Sequence, residues 1–518
     1  MDKPCVCFPD QLNSVEKNRM VVRIVGPSSS YPNIEAAVDA ASQGDTIELS
    51  PGYSDEFVTV TKNNITIVGE LSSQNIVLTI GSGVSGLVLS GEAPINVIDS
   101  DGNDTVSGND GANVITVTGG IDVVDGGAGD DRLVVDYSAT TVAVTGTATV
   151  IGSDQGTVTV TGLSIEHYTV STGSGIDTLT FLNGNNIIDA GTTGANTITV
   201  GSGNNTITSG TGIDGIIAGT GNNYIDAGTI GANTITVGPT GSGNNTIISG
   251  SGIDTISVGN GDNVIDAGTG GANTITAGTG NNTIISGSGI DGIVVGTGDN
   301  YIEGGEGANT ITVGPTGFGN NIILSGSGID TISVGSGDNC IDAGTDGANT
   351  ITAGSGNNTI LSGSGIDGIT AGHGNNYIEG GEGANTIAVG NGNNTIISGS
   401  GIDTITAGNG NNYIEGGEGA NAITTGNGND IVSSGISADT IVTGGGNDII
   451  KDAGGAGAVA ASDGHDRLVM DFSTATTAIT NTVTGTYSHG GVLGGTTYTG
   501  VEEFHITTGS GNDILLGG

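Results

Sequence analysis

Fourteen aspartates occupy the sixth position of a nine-residue period: Asp104, Asp122, Asp131, Asp177, Asp214, Asp254, Asp291, Asp330, Asp367, Asp403, Asp430, Asp448, Asp466 and Asp513. The period reads x-Gly-x-Gly-x-(Asp or Asn)-x-Ile-x, as in SGSGIDTIS (249–257), VGNGDNVID (258–266) and AGTGNNTII (277–285). Glycine takes φ > 0 without a Cβ clash, so the first six residues can turn sharply and aim carbonyl oxygens inward. Carbonyls and a carboxylate at position six make an all-oxygen donor set, which suits a hard divalent cation taking roughly six to eight oxygens. Asp and Asn also favour turns by bonding their own backbone, so a turn-forming role without an ion stands beside the metal reading.

The elements that must position these side chains follow from the same period. The last three residues form a short strand with position eight inward. Two nonamers complete one coil, so Ile256 and Ile265 face each other across a thin core, and position-six residues two nonamers apart stack along one edge. Four nonamers make a higher repeat of 36 to 40 residues, with first nonamers starting at Thr172, Ser209, Ser249, Ser286, Ser325, Ser362 and Ser398. In each, only the first nonamer keeps Asp. The third carries Asn (Asn196, Asn233, Asn273, Asn309, Asn349, Asn385, Asn421), and the second and fourth are mostly Asn too. One edge therefore alternates Asp and Asn. The other is largely an Asn ladder, stapled by amide hydrogen bonds as stacked Asn rows are. Carboxylates two nonamers apart, Asp104 with Asp122 and Asp430 with Asp448, place the denser sites at the ends. Asp439 also falls at position six, in SGISADTIV, which lacks the second glycine.

The period resembles the repeats-in-toxin (RTX) consensus G-G-x-G-x-D-x-U-x, where U is a large apolar residue, over roughly three quarters of the chain beyond residue 99. The resemblance implies an all-β fold: a parallel β-roll, or β-solenoid, of nonapeptide repeats. It implies calcium as the ion at the fourteen aspartates, folding triggered by external calcium, and a secreted or cell-surface location reached by type I secretion. A second resemblance covers residues 21–98. There NIEAAVDAASQGDTIELSPG reads as a short helix, with Asn33 as N-cap and Gly44 as a stop, followed by strand-like segments. This looks like the opening of a right-handed pectate-lyase-like β-helix, and implies a capping segment.

Composition agrees with a repeat architecture. Of 518 residues 102 are Gly, aromatics are 3% and Trp is absent, so little bulk exists for a globular core. Asp and Glu total 53 against 8 Lys and Arg, a formal net charge of −45. Five of the basic residues precede residue 63, so a nucleic-acid or anionic-membrane surface is excluded for the repeats, whereas divalent cations relieve the self-repulsion. Cys5, Cys7 and Cys340 offer no disulfide framework or zinc spacing. No 18-residue apolar run is present, and the N-terminus MDKPCVCFPDQ has no apolar signal core.

The chain divides into a leader at 1–20, the cap at 21–98, nonamers at 99–134, a β-rich insert at 135–171, the roll at 172–451, a second insert at 452–507 and further repeat from 508 to 518. The inserts resemble each other, opening on DDRLVVDYS and HDRLVMDFS and leaving the solenoid before rejoining it. Ending two residues into a nonamer, the sequence reads as a fragment or a truncated product.

Outward strand positions distinguish two faces. One carries Thr pairs such as Thr274 with Thr276 and Thr350 with Thr352, interrupted at Gly215, Gly292 and Gly368. It is similar to the ice-binding face of β-solenoid antifreeze proteins, or simply reflects the β-propensity of Thr. The other carries Tyr224, Tyr301, Tyr377 and Tyr413, carboxylates such as Asp266 and Glu303, and interleaved Ile248, Ile285, Leu324, Leu361 and Ile397. That row suits lateral self-association, or the carboxylates serve only to keep the sheet soluble; a cell-surface polysaccharide is a further partner considered for the chain. No catalytic constellation stands out. The five His (His167, His373, His465, His489, His505) lack metal-ligand spacing, and the chain is read as a non-enzyme: a calcium-binding extracellular spacer or assembly module. Alternatives are an ice-binding solenoid and a non-catalytic module of a larger secreted carbohydrate-active enzyme. The latter rests on alginate epimerases, where a β-helix and RTX repeats occur together.

Overall fold

The computed structural model describes residues 20–161, 164–455, 457–483, 491–493 and 495–515. The leader, with Cys5 and Cys7, lies outside the described residues apart from Met20. The chain forms two compact units, Met1–Gly210 and Thr211–Gly518. In each, short strands stack in parallel into two sheets separated by a single layer of buried aliphatic side chains.

The first unit opens on strand Val22–Val25 and helix Ile34–Ala40. Asn33 caps the helix by accepting the Ala36 N–H at 2.9 Å, and Ile34, Ala37 and Val38 are buried against the first coil. Early coils are 20 residues long, as the register Thr46↔Thr66 shows. Where the nonamers begin they tighten to 18, with Val97 beside Ile115. The first insert stays within its sheet. Gly156–Val160 pairs in parallel with Gly120–Asp125, turns back through antiparallel Val150–Gly152, and Thr145–Thr147 then pairs in parallel with Thr178–Thr180. The expectation that this segment leaves the solenoid is corrected: a meander is woven into the sheet, so the backbone hydrogen bonds of the strand ladder are kept.

The second unit is built from nonamer coils. Thr255 pairs with Thr274 in one sheet and Ile265 with Ile284 in the other. Position-eight residues Ile256, Ile265, Ile275 and Ile284 are at most 1% exposed. Glycine makes the close stacking feasible: Gly289 has φ +148°, and a Cβ there would stand 1.7 Å from the Gly271 carbonyl oxygen of the coil before. The GPTGSG and GPTGFG loops prolong strands Thr234–Ser242 and Thr310–Phe318, and the register shifts there. Near the C-terminal end a second antiparallel meander (481–483, 491–493) leads into Thr496–Thr499, which pairs in parallel with Ala458–Ala460.

The outer faces differ in part from expectation. Ile248, Ile285, Leu324, Leu361 and Ile397 are half-buried. The strongly exposed apolar row lies at position five on the Asp edge, where Ile253, Ile290, Ile329, Ile366 and Ile402 lie outside the turn.

Candidate metal centre

Every position-six side chain of the nonamers inside the two columns turns inward and is buried. In the repeats from Asn233 onward its Oδ1 accepts the backbone N–H of position six in the preceding coil. On one edge of the second unit the series runs Asn233 N–H to Asp254 (2.7 Å), Asp254 N–H to Asn273 (2.9 Å) and Asn273 N–H to Asp291 (2.6 Å). On the other edge Asn223, Asn245, Asn263, Asn282, Asn300, Asn321, Asn339, Asn358, Asn376 and Asn394 each donate from Nδ2 to the next Asn Oδ1, at 2.8 to 3.0 Å. Each Nδ2 also reaches a glycine carbonyl of its own turn, as Asn339 does to Gly337 at 2.9 Å. Both amide hydrogens are thus used, and this column is satisfied without an ion.

The column ends in acid. Asn412 donates from Nδ2 to Asp430 Oδ1 at 2.9 Å. Beyond it Asp430 N–H donates to Asp448, and Asp448 N–H to Asp466, each at 2.8 Å, and Asp466 N–H to Glu502 Oε2 at 2.8 Å. Carboxylates carry no amide hydrogens, so the Oδ2 atoms of Asp430, Asp448 and Asp466 are buried without a hydrogen bond of normal geometry, Asp448 having only the Thr443 hydroxyl beside it. Burial pushes Asp448 up to about 6 and raises Asp466, each with further contributions from neighbouring carboxylates.

A second acidic cluster lies in the first unit. Ligand oxygens of Asp99, Asp104 and Asp122 lie within 4.8 Å of one another, and all three residues are buried. Asp104 N–H donates to Asp122 Oδ1 at 2.9 Å, and Asp99 Oδ1 accepts the Thr118 N–H at 2.7 Å. One oxygen of each carboxylate (Asp99 Oδ2, Asp104 Oδ1, Asp122 Oδ2) has no partner. Burial, then the charges of Asp122 and Asp104, pushes Asp99 up to about 7; burial and Asp104 push Asp122 to about 6. On the opposite edge Asp131, pushed to about 7 by burial and then by Glu166 and other acids, keeps an unpartnered Oδ2 while its N–H donates to Glu166.

The remaining predicted residues divide by what position one offers. Thr172, Ser249 and Ser325 donate their hydroxyls to Oδ2 of Asp177, Asp254 and Asp330, so both oxygens of these aspartates are occupied. Ser286 and Ser362 donate instead to the Gly304 and Gly380 carbonyls, and Oδ2 of Asp291, Asp367 and Asp403 is left without a donor. Asp214 is buried in the same column, its N–H bonded to Asn233. Asp513 is only half-buried and accepts the Ile479 N–H at 2.8 Å. Asp439, despite its missing glycine, is buried in register, accepts the Asn421 N–H and keeps an unpartnered Oδ2. The sequence reading missed Asp99 and Asp452, which sit at position one. Strand alternation carried one residue further would have turned them inward. His167 and His373 act as ladder acceptors, taking the Asn185 and Asn391 N–H groups on Nδ1.

Stacked, buried, partly orphaned carboxylates with no nitrogen or sulfur donor among them fit a hard divalent cation held by oxygen. A parallel β-roll that repeats this donor set is a calcium-binding repeat protein. The chain belongs to the RTX calcium-binding nonapeptide repeat family, whose four-copy profile matches residues 98–133, 183–225 and 239–432 in overlapping stretches, more than half of the chain. No curated protein matches it.

Proposed function

We propose that the chain is a secreted or cell-surface structural module whose end regions are completed by calcium and whose middle is held by amide ladders. The observation that carries this reading is the contrast along one column: every Asn is satisfied, and every Asp after it is left with a buried, bare oxygen. Calcium would be held by Asp99, Asp104 and Asp122, by Asp131 with Glu166, and by Asp430, Asp448 and Asp466 with Glu502. Asp291, Asp367 and Asp403 would hold it with one carboxylate each, and Asp177, Asp254 and Asp330 would hold it least. Carboxylates so placed repel one another without a cation, so calcium stabilises the folded state by binding it selectively. A chain of net charge −45 would stay loose where calcium is scarce and order outside the cell, which fits type I export and a spacer role without catalysis. Circular dichroism of the purified chain, calcium-free and then titrated to millimolar calcium, tests the reading. A cooperative gain of β signal supports it, and an unchanged spectrum and melting temperature would defeat it.

A second reading attaches to the Thr face, where Thr255, Thr274 and Ser257, Thr276 stand in parallel register and point outward. Such a two-column array suits ordered water, and shaping of ice crystals by the purified chain tests it. Gly292 and Val294 interrupt the columns in the next coil, which weighs against it.

A further inference from the structure

One buried cluster outside the repeat pattern encloses polar atoms that make no hydrogen bond of normal geometry. Strand Ile431–Ser434 pairs in parallel with Ile449–Asp452, which sets Ser434 beside Asp452 in adjacent coils. In the other sheet the registers Thr440↔Ala458 and Ala458↔Thr497 align the preceding residues Asp439, Gly457 and Thr496 as successive members of the position-six column. Gly457 brings no side chain to that column, and a Cβ there would lie 2.2 Å from the Asp439 carbonyl oxygen. Its backbone lies against Asp439 of the coil before, so the column passes from Asp439 to Thr496 with no position-six side chain between them. Asp452, at position one of the Gly457 coil, enters from the side.

We propose that Asp439 and Asp452, with the Ser434 and Thr496 hydroxyls, form a divalent-cation site of a second kind, in which a position-one carboxylate replaces the absent position-six one. The proposal rests on the calcium reading above and extends it to residues outside the nonamer's metal position. All four residues are at least nine-tenths buried: Asp439 2%, Asp452 3%, Ser434 8% and Thr496 0% exposed. Oδ2 of Asp439 and the hydroxyls of Ser434 and Thr496 are enclosed without a hydrogen bond of normal geometry. Asp452 has one oxygen on the Gly454 N–H at 2.8 Å. Among the described residues no Lys or Arg contributes to either carboxyl, and burial raises both; repulsion from Asp452 and Glu418 adds to the rise at Asp439, while the Ser434 hydroxyl beside Asp439 and the Thr496 hydroxyl beside Asp452 offset part of it. Two carboxylates balance one divalent ion, and two hydroxyls add neutral oxygens, a donor set calcium accepts. The first unit shows that position one can serve this way, because Asp99 sits at position one and shares a cluster with Asp104 and Asp122.

The site would join three segments: the coil through Ser434 and Asp439, the end of strand Ile449–Asp452, and the strand returning from the C-terminal meander through Thr496. An ion there fastens Thr496–Thr499 to the roll. Native mass spectrometry of the full chain with added calcium counts the ions, and hydrogen exchange reads protection at 496–499. Asp452→Asn and Asp439→Asn are each expected to bind one ion fewer than the parent, and the double variant also one fewer, because the site is shared. Each also loses calcium-dependent protection at 496–499 while keeping it at 132–137. Variants that bind as many ions as the parent overturn the proposal and leave the calcium reading standing. A parent chain that binds no calcium overturns both. Should Asp452→Asn fail to fold, Asp439→Asn decides, because Asn421 already shows Asn accommodated one coil earlier in that column.

Discussion

Asn412 donates its side-chain amide to Asp430 Oδ1 at 2.9 Å, and at that contact a self-sufficient column becomes one that lacks donors. Before it each Nδ2 bridges to the next coil. After it, Asp430, Asp448 and Asp466 keep buried Oδ2 atoms that make no hydrogen bond of normal geometry. A one-atom change, amide nitrogen to oxygen, separates a metal-free staple from a metal site.

Asp448→Asn should therefore extend the ladder by a coil. The new Nδ2 would donate to Asp466 Oδ1, which already accepts the Asp448 N–H at 2.8 Å. Removing a buried unsatisfied oxygen is worth about 1–3 kcal/mol, so the calcium-free variant should be more stable than the parent by that order. The stabilisation conferred by calcium should shrink at the same time. Urea unfolding with and without calcium checks both. A variant less stable than the parent in calcium-free buffer would refute the donor argument.

Asn339→Ala tests the opposite case. Asn339 Nδ2 donates to Asn358 at 2.9 Å and to Gly337 at 2.9 Å, and its Oδ1 accepts from Asn321. Truncation strands buried groups in both neighbouring coils and should cost about 2–3 kcal/mol. The cost should be equal with and without calcium, since no orphaned carboxylate lies in that column near it. A loss that calcium restores would mean that the Asn column also takes an ion.

Much of this was legible from the nonamer. Position eight had to be apolar and inward, and Ile256 and Ile265 are; position six had to stack, and the Asn ladder follows from amides repeated at one coil's spacing. Position one was not legible, because its residues vary between Ala, Val, Gly, Ser, Thr and Asp and the strand motif ends at position nine. Yet Val258, after outward Ser257, is buried, and the same extra step of alternation turns Asp99, Ser249 and Asp452 inward. The apolar row was misplaced for a different reason. Ile248 lies on the ladder between Asp226 and Asp266, whose side chains flank it, whereas Ile253 stands on a turn with no strand beside it. The meander after Asp136 could not be read because its strands follow no nonamer, and only pairing shows that they remain in the sheet.

The serines at position one give a paired test. Ser249 donates to Asp254 Oδ2 at 2.9 Å, whereas Ser286 donates to the Gly304 carbonyl and leaves Asp291 Oδ2 bare. Ser249→Ala exposes a new orphaned oxygen and should lower calcium-free stability by about 1–3 kcal/mol, with part of the loss recovered on adding calcium. Ser286→Ala removes a hydroxyl-to-carbonyl bond, worth about 1 kcal/mol, and only a weaker contact with Asp291, so its effect should depend on calcium less than that of Ser249→Ala. Thermal melts of the two variants in both buffers separate the cases. Equal calcium dependence would show that position one does not tune the carboxylate.

The pH dependence of the calcium-free chain has a defined sign. Asp99 and Asp131 are pushed to about 7, and Asp122 and Asp448 to about 6, from an ordinary value of 3.8. A carboxyl with a raised pKa in the folded state holds its proton more tightly there than when unfolded. Its contribution is therefore fully present below the unfolded value and is lost as pH rises through the folded one. Asp45, held low by hydrogen bonds and by Arg23, works in the opposite sense, as do Asp55, Asp136, Asp471 and Glu503, each held low by hydrogen bonds, but these are fewer than the raised carboxyls and all but Asp45 lie at the surface. The calcium-free protein should thus have a higher urea midpoint near about pH 4.5 than near about pH 8, with the decline spread over the interval between. Saturating calcium should flatten or reverse that slope, because the ion takes the place of the protons on the same oxygens. Asp122→Asn with Asp448→Asn should reduce the calcium-free slope, since neither amide titrates, whereas general repulsion from the net charge of −45 would change little in that variant. A midpoint that rises with pH in calcium-free buffer would mean that these carboxyls are solvated or paired in the folded chain, and the metal sites inferred from their isolation would fall with it.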